Sequence, residues 1–549
     1  MKNLRWSKVC VVVLAILLIY TPFHSVAEAN QKKVDNVILL IPDGMGASYV
    51  TATRIFKGDH LSFEPYLKGM VKTGSADTNV TDSAAAGTAM ATGVKTNNGV
   101  VSMTPDGEIL PTILQAAKAQ EKATGLVATS RITHATPAVF ASHTESRQNE
   151  EEIAPQFLNV VDVILGGGRD MFLPADEGGK QGDRHLIKEY QAEGYQYVST
   201  TDELNNTTGD KVLGLFAMSD LKYDIDREPH VPSLAEMTAY AIEQLQRNDH
   251  GFFLMVEGSQ IDWAGHAHDP VAAITDTIAF DQAVEEALDF AQEDKNTLVI
   301  VVGDHETGGM NIGTTAGGYN ENIQALKQAQ ASSAAIADKL KTDAQWVLNL
   351  EKAILVDEEV FVPLRETIDT LGGQVKYQSA TNEISVDLHD QDNQTIVIHP
   401  NDERIQLVNN NSYVSLTQLS EWLNLDVGVE WDDETPTYGY FTKIQSIVSE
   451  LSGIDVTEDD VLTIVNSDWG QLGQVIGPVL SEYAMISWGS RYHTGVDVPL
   501  YAYGKGAGEF IGLIDNTELP QIISYLQGLE AFDDEQAFMK SLRERRGEH

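Results

Sequence analysis

Short, β-rich apolar runs recur along the chain, at residues 36–41, 124–128, 160–165, 212–216, 252–256 and 297–302, and the stretches between them carry helical spacing. Alternation of this kind predicts an α/β fold with a largely parallel sheet and helices on both faces, because parallel strands need long crossovers and bury both of their faces. Between the last two runs, residues 271–292 place Ala272, Ile274, Ile278, Ala283, Val284, Ala287, Leu288 and Ala291 near a 3.6-residue spacing, which predicts a crossover helix. Acidic clusters follow three of the runs: Asp43-Gly44 after the first, Glu257-Gly258 after the fifth and Asp304-His305 after the sixth. One such cluster alone is accounted for by a helix cap or a turn. Three together predict a crevice where the carboxyl ends of strands converge.

The texture changes between residues 351 and 441. There Phe361-Val362-Pro363-Leu364, with Leu371 and Val375-Lys376-Tyr377, is echoed by Tyr413-Val414-Ser415-Leu416, with Leu423 and Val429-Glu430-Trp431. Each half predicts a strand, a short helix and a second strand. The flanks 322–350 and 443–484 read as helical. Residues 351–441 are therefore expected to be a small α+β insert that divides one large domain into 30–350 and 442–549.

The head of the chain reads as a secretory signal. Lys2, Arg5 and Lys8 precede an apolar stretch from Val9 to Tyr20, too short to span a bilayer comfortably, and Ala27-Glu28-Ala29 offers a cleavage pattern. Export is the expectation, to the medium or the cell surface. Cys10, the only cysteine, would leave with residues 1–29, so no disulfide is expected and stability must come from packing or bound metals. The 549 residues carry 37 Lys+Arg against 81 Asp+Glu, a formal net charge of −44, which argues against a nucleic-acid partner. Hydrophobic residues at 42% argue equally against a disordered chain.

Candidate chemistry clusters in a few places. Asp262 and His266 are spaced i,i+4, so one helical turn can aim both at one cation, and adjacent Asp304-His305 can serve a neighbouring one. Ser83, in Thr81-Asp82-Ser83-Ala84-Ala85-Ala86, stands where small residues open a helix, and the free N–H groups there suit phosphate. Helix capping is the bland alternative for the same residues.

Asp43-Gly44-Met45-Gly46, Thr81-Asp82-Ser83-Ala84-Ala85, Gly93-Val94-Lys95-Thr96-Asn97-Asn98-Gly99, Gly166-Gly167-Gly168-Arg169, Glu257-Gly258 with Asp262 and His266, Asp304-His305 and His493-Thr494-Gly495 occur in the order seen in alkaline phosphatases. The chain resembles that family over residues 34–315 and 485–525. The resemblance implies a secreted phosphomonoesterase that releases phosphate through a phosphoserine at Ser83, with two Zn²⁺ and one Mg²⁺. It implies Asp262, His266 and His493 as ligands of one zinc, and Asp43, Asp304, His305 and the Ser83 oxygen as ligands of the other. It implies Asp43, Thr136 and Glu257 for magnesium, Arg147 as the phosphoryl clamp, Asp82 as the residue that orients it, and a homodimer.

Two positions depart from the enterobacterial pattern of the family, which has aspartate at His134 and lysine at Trp263. His134 is therefore expected to reshape the magnesium site. His268, two residues beyond a candidate ligand, matches no ligand position. The insert resembles the N-terminal domain of some copper amine oxidases, a module that also recurs in bacterial surface proteins, and a cell-wall or surface partner is the expectation it raises. A phosphodiesterase of the same superfamily, or a surface-binding protein with an inactive body, are the alternative readings. A sulfatase is disfavoured because no Pro and Arg follow Ser83 in the required setting.

Overall fold

The computed structural model describes residues 34–314, 317–343, 354–356, 359–370, 374–378, 381, 383–387, 395–398, 405–408, 411–415, 418, 430–432, 435–437, 439–465, 467 and 469–547. The signal expected at 1–29 lies outside them. The chain divides into two compact units, Met1–Ser333 with Ile476–His549, and Ala334–Val475.

The first unit is built on a ten-stranded mixed sheet. Its strands are β1 (Asn36–Pro42), β2 (Leu67–Lys72), β3 (Ala123–Arg131), β4 (Val163–Gly167), β5 (Gln196–Val198), β6 (Val212–Leu215), β7 (Phe252–Gly258), β8 (Thr297–Val302), β9 (Val498–Gly504) and β10 (Gly512–Asp515), ordered β10-β2-β9-β8-β1-β7-β3-β4-β6-β5. Seven strands from β8 to β5 run parallel; β9 lies antiparallel to both β8 and β2. In β1, β7 and β8 every residue is buried, as a strand covered on both faces requires. All six runs expected from the sequence form strands. The third starts at Val163 rather than 160, because the amides of Val160 and Val161 turn back to the Phe157 carbonyl. β2, β5, β9 and β10 were not expected. β2 and β5 are short and half-exposed, β10 is a four-residue edge, and β9 opens on Val498-Pro499 with no periodic run to mark it. Where β2 approaches β10 the close contact requires glycine: a Cβ on Gly69 would lie 1.8 Å from the Gly512 carbonyl oxygen.

Four helices position the chemistry: α1 (Ser83–Thr92), α2 (Ala135–Ala141), α3 (Gln260–Ala267) and α4 (Pro270–Asp294). All ten residues of α1 are buried. Its small side chains let α2 pack directly on it, and a Cβ on Gly87 would meet Val139 Cγ2 at 2.8 Å. α4 is the crossover expected between β7 and β8. Asp269 caps it by accepting from the amides of Val271 and Ala272, and Pro270 supplies its first turn. Leu39, Ile41, Phe140, Phe253 and Met255 join strands and helices in one core.

The second unit contains a four-stranded antiparallel sheet, ordered Ile354–Val356, Glu359–Pro363, Asn411–Ser415, Ile405–Val408, and a three-stranded sheet of Gln374–Gln378, Glu383–Asp387 and Thr395–Ile398. The first half of the repeat is a strand, the helix Leu364–Thr370 and a strand. The middle of the second half, 419–429, and part of the helical flank, 344–350, lie outside the described residues. Among the described residues no helix is long and apolar enough to cross a membrane.

Candidate active site

β8, β1 and β7 are neighbours, so their carboxyl ends deliver Asp304-His305, Asp43 and Glu257 to one place. Gly44, at φ 74°, turns the chain immediately after Asp43, and a Cβ there would lie 2.8 Å from the Asp262 Cα. This close approach seats the β1 turn against α3. Asp304 Oδ1 accepts from the amides of Gly44 (3.2 Å) and His305 (3.0 Å), which pins the turn from the other side.

Two groups of potential ligands form around these ends. In the first, His305 Nε2 lies 3.5 Å from Asp43 Oδ1 and 3.2 Å from Asp304 Oδ2, and Ser83 Oγ lies 3.2 Å from the same nitrogen. In the second, Asp262 Oδ2 is 3.4 Å from His266 Nε2, Asp262 Oδ1 is 3.6 Å from His493 Nε2, and the two imidazole Nε2 atoms are 3.2 Å apart. The helical spacing read from the sequence does place Asp262 and His266 on one face of α3. The rings of His305 and His493 stack at 3.6 Å, so the groups adjoin.

The tautomers are set from outside. His266 Nδ1–H donates to the Arg491 carbonyl (2.6 Å) and His493 Nδ1–H to the Thr81 carbonyl (2.8 Å), which turns both Nε2 lone pairs toward Asp262. Asp43 Oδ1, Asp304 Oδ2 and Glu257 Oε1 are buried without a hydrogen-bond partner. Buried anionic oxygens without donors, beside imidazole lone pairs that face one another, are the donor set of a divalent cation centre.

The titration behaviour has the same origin. Burial, and then the charges of Asp304, Asp262 and Glu257, push the Asp43 carboxyl well above the usual range. Burial lifts Asp304 and Glu257 to about 7. Burial would lift Asp262 as well, but the His266 hydrogen bond and the charges of His266, His305 and His493 hold it low. Burial and His493 push His305 well below the ordinary imidazole value.

Thr136 Oγ1, on α2, donates to Asp43 Oδ2 (3.3 Å), and Ser130 Oγ donates to Glu257 Oε2 (3.3 Å). Asp82 caps α1, its Oδ1 accepting from Ala85 N (2.9 Å), while its Oδ2 accepts from Gly99 N and Arg147 Nη1, both at 3.0 Å. Arg147 Nη2 donates to His134 Nε2 (3.0 Å), and the His134 ring meets Trp263 edge-on at 5.6 Å. His134 thus spends one ring nitrogen on Arg147; the other, Nδ1, is buried without a partner. The cap reading of the Ser83 segment and its chemical reading hold together: Asp82 is the cap, and Ser83 is the first helical residue.

Some contributors escaped the sequence reading. Thr307 Oγ1 donates to Asp262 and contacts His305 Nδ1 (3.3 Å), tying the two groups together. Its period-two spacing from His305 is the signal that could have found it. Buried Glu150 accepts from Arg131 and from Thr133 Oγ1 (2.7 Å), anchoring the segment before His134. No spacing rule marks Glu150.

A model of the Alkaline phosphatase family matches residues 34–529. Alkaline phosphatase 3 of Bacillus subtilis is 35% identical over 508 residues, 90% of this chain and 88% of that protein. Alkaline phosphatase 4 of the same organism is 43% identical over 333 residues, 58% of this chain and 70% of the relative. Among solved structures, the cold-active alkaline phosphatase of a psychrophilic Shewanella is similar with a TM-score of 0.66 and 29% identity, covering 90% of this chain and 99% of the other.

Proposed function

The chain belongs to the alkaline phosphatase family, and from that premise we propose that it is an exported, metal-dependent phosphomonoesterase acting through a phosphoserine at Ser83. The observation that carries the reading is the position of Ser83 Oγ. Ser83 opens a buried helix, its Oγ lies 3.2 Å from His305 Nε2 in the group that holds the unpartnered Asp43 and Asp304 oxygens, and it directly follows Asp82, which holds the Arg147 guanidinium. Asp262, His266 and His493 would hold one zinc, Asp43, Asp304, His305 and Ser83 a second, and Asp43, Thr136 and Glu257 a magnesium; bound there, the ions supply Lewis acidity and the positive charge that so acidic a surface lacks.

The chain's own residues do the rest. Free N–H groups at the start of α1 face the incoming phosphoryl oxygens. Arg147, splinted by Asp82 and His134, offers a planar fork to the equatorial oxygens as charge spreads over them. Ser83 Oγ attacks phosphorus in line, the P–O bond to the alcohol breaks, and water then cleaves the phosphoserine. Trp263, standing beside His134, lends that rim an apolar wall in place of a cation.

The test is to compare p-nitrophenyl phosphate with bis-p-nitrophenyl phosphate under zinc and magnesium. The monoester is expected to react at least about a hundredfold faster, since a diester has one fewer anionic oxygen for Arg147. A faster diester reaction would overturn the assignment in favour of a phosphodiesterase.

Export is supported by the charge and hydropathy pattern of residues 1–29, and a surface-attachment role for residues 351–441 by their resemblance to a module of surface proteins. In fractionated cells the chain is expected outside the cytoplasm, and removal of residues 351–441 is expected to move it from the surface to the medium. Retention that ignores the deletion would count against the surface role.

A further inference from the structure

His268 lies two residues beyond His266 and coordinates nothing in either ligand group. Its conformation is nonetheless unusual. It ends α3 in the left-handed region, φ 55° and ψ 35°, which side-chain-bearing residues rarely adopt, and the surroundings must hold it there.

Those surroundings contact both its ring and its carbonyl. The His268 ring stacks on Trp488, with centroids 5.1 Å apart and planes 3° from parallel. Trp488 Nε1–H donates to Ser481 Oγ (2.9 Å), and the Ser481 hydroxyl faces the carbonyls of His268 (3.1 Å) and Gly477 (3.0 Å), either of which accepts its proton. On the ring itself, His268 Nε2–H donates to the Ser490 carbonyl at 2.7 Å. One residue further on, the Arg491 carbonyl accepts from His266 Nδ1–H. Consecutive peptide carbonyls are therefore gripped by two imidazoles from the end of one helix. Gly489, Ser490 and Tyr492 also bond through their backbone to Gly308. This segment leads directly into His493, whose Nε2 must reach the oxygen of Asp262 and meet the Nε2 of His266.

We propose that His268 is a positioning residue for the Asp262–His266–His493 cation site: through Ser490 it fixes the segment that carries His493 in register with the helix that carries the other two ligands. The proposal rests on the reading of those three residues as a cation site. Ligand-orienting groups of this kind commonly change affinity by about 10- to 100-fold.

The test uses the full chain stripped of metal and titrated with zinc in competition with a chromophoric chelator. His268→Gly removes the ring while leaving a residue at ease in the left-handed region, so the backbone turn is retained. The parental chain is expected to bind two zinc equivalents tightly. In His268→Gly one equivalent is expected to weaken by roughly 10- to 100-fold and the other to stay within about threefold. His268→Gln, which keeps an N–H donor at similar reach, is expected to recover most of the loss. A merely structural residue would lower the melting temperature of both variants and leave the two affinities alike. Unchanged affinity in His268→Gly, or equal weakening of both equivalents, would overturn the proposal. A parental chain that binds no zinc would overturn the cation-site reading itself, and the proposal with it.

Discussion

A chain carrying Ser83→Ala is expected to release phosphate from p-nitrophenyl phosphate at less than about a thousandth of the parental rate, with its fold and its zinc stoichiometry kept. The size of the effect follows from what the hydroxyl does. It lies 3.2 Å from His305 Nε2, whereas the hydroxyls of Thr136 and Thr307 are hydrogen-bonded to Asp43 and Asp262, and with alanine at 83 the proposed phosphoserine cannot form. What survives is direct attack by water, aided by the Arg147 fork and the charge of the site. The fold should tolerate the change, because the cap of α1 is made by Asp82 rather than Ser83 and the next residues are alanines already. Initial rates under saturating metal, with the melting temperature as control, are the measurement. A variant retaining a tenth of the activity would remove Ser83 from the mechanism.

Chelation is expected to abolish activity, to below about a hundredth, and to leave a folded protein whose stability falls as pH rises from 6.5 to 8.5. In the metal-free protein Asp304 and Glu257 titrate near 7, and Asp43 lies well above the carboxylate range. The same groups in an unfolded chain have lost their protons by pH 6.5. A folded-state pKa above the unfolded one contributes stability that is complete below the unfolded value and is lost as pH climbs through the folded value. Across this window the folded state therefore holds more protons than the unfolded one, and each retained proton costs about 1.4 kcal/mol per pH unit. The depressed imidazole of His305 acts only below about pH 6.5 and does not mask the trend. His266, raised because its Asp262 hydrogen bond and charge outweigh burial, adds to the trend. Divalent cations replace the protons, so the metal-replete protein should lose the slope. Thermal melts of both forms across the window check this, and a metal-free form that grows more stable toward pH 8.5 would refute it.

Much of this is legible in the sequence. The runs that become β1, β7 and β8 are continuous and apolar because strands buried on both faces have no polar side to show. Acidic residues that close such runs could be placed at the sheet's carboxyl edge from strand and helix alternation alone. α3 needed only the i,i+4 rule to put Asp262 beside His266. The outlying strand β2 and the edge strand β10 were illegible because their half-exposed residues give no clear period. Glu150 and Ser130 were missed because hydrogen-bonding acceptors and donors buried beneath a site have no characteristic spacing.

The sequence by itself determined the fold class, the strands that carry the acids and the residue types able to hold cations, since each follows from local periodicity or a compact motif. Only the tertiary structure decided that β8, β1 and β7 are neighbours, that His493 arrives from a distant segment to face His266, and that Arg147 lies between Asp82 and His134. The physical reason is that strand order and long-range hydrogen bonds depend on how buried surfaces pack in three dimensions. A linear pattern fixes which face of an element is apolar, but not which partner covers it.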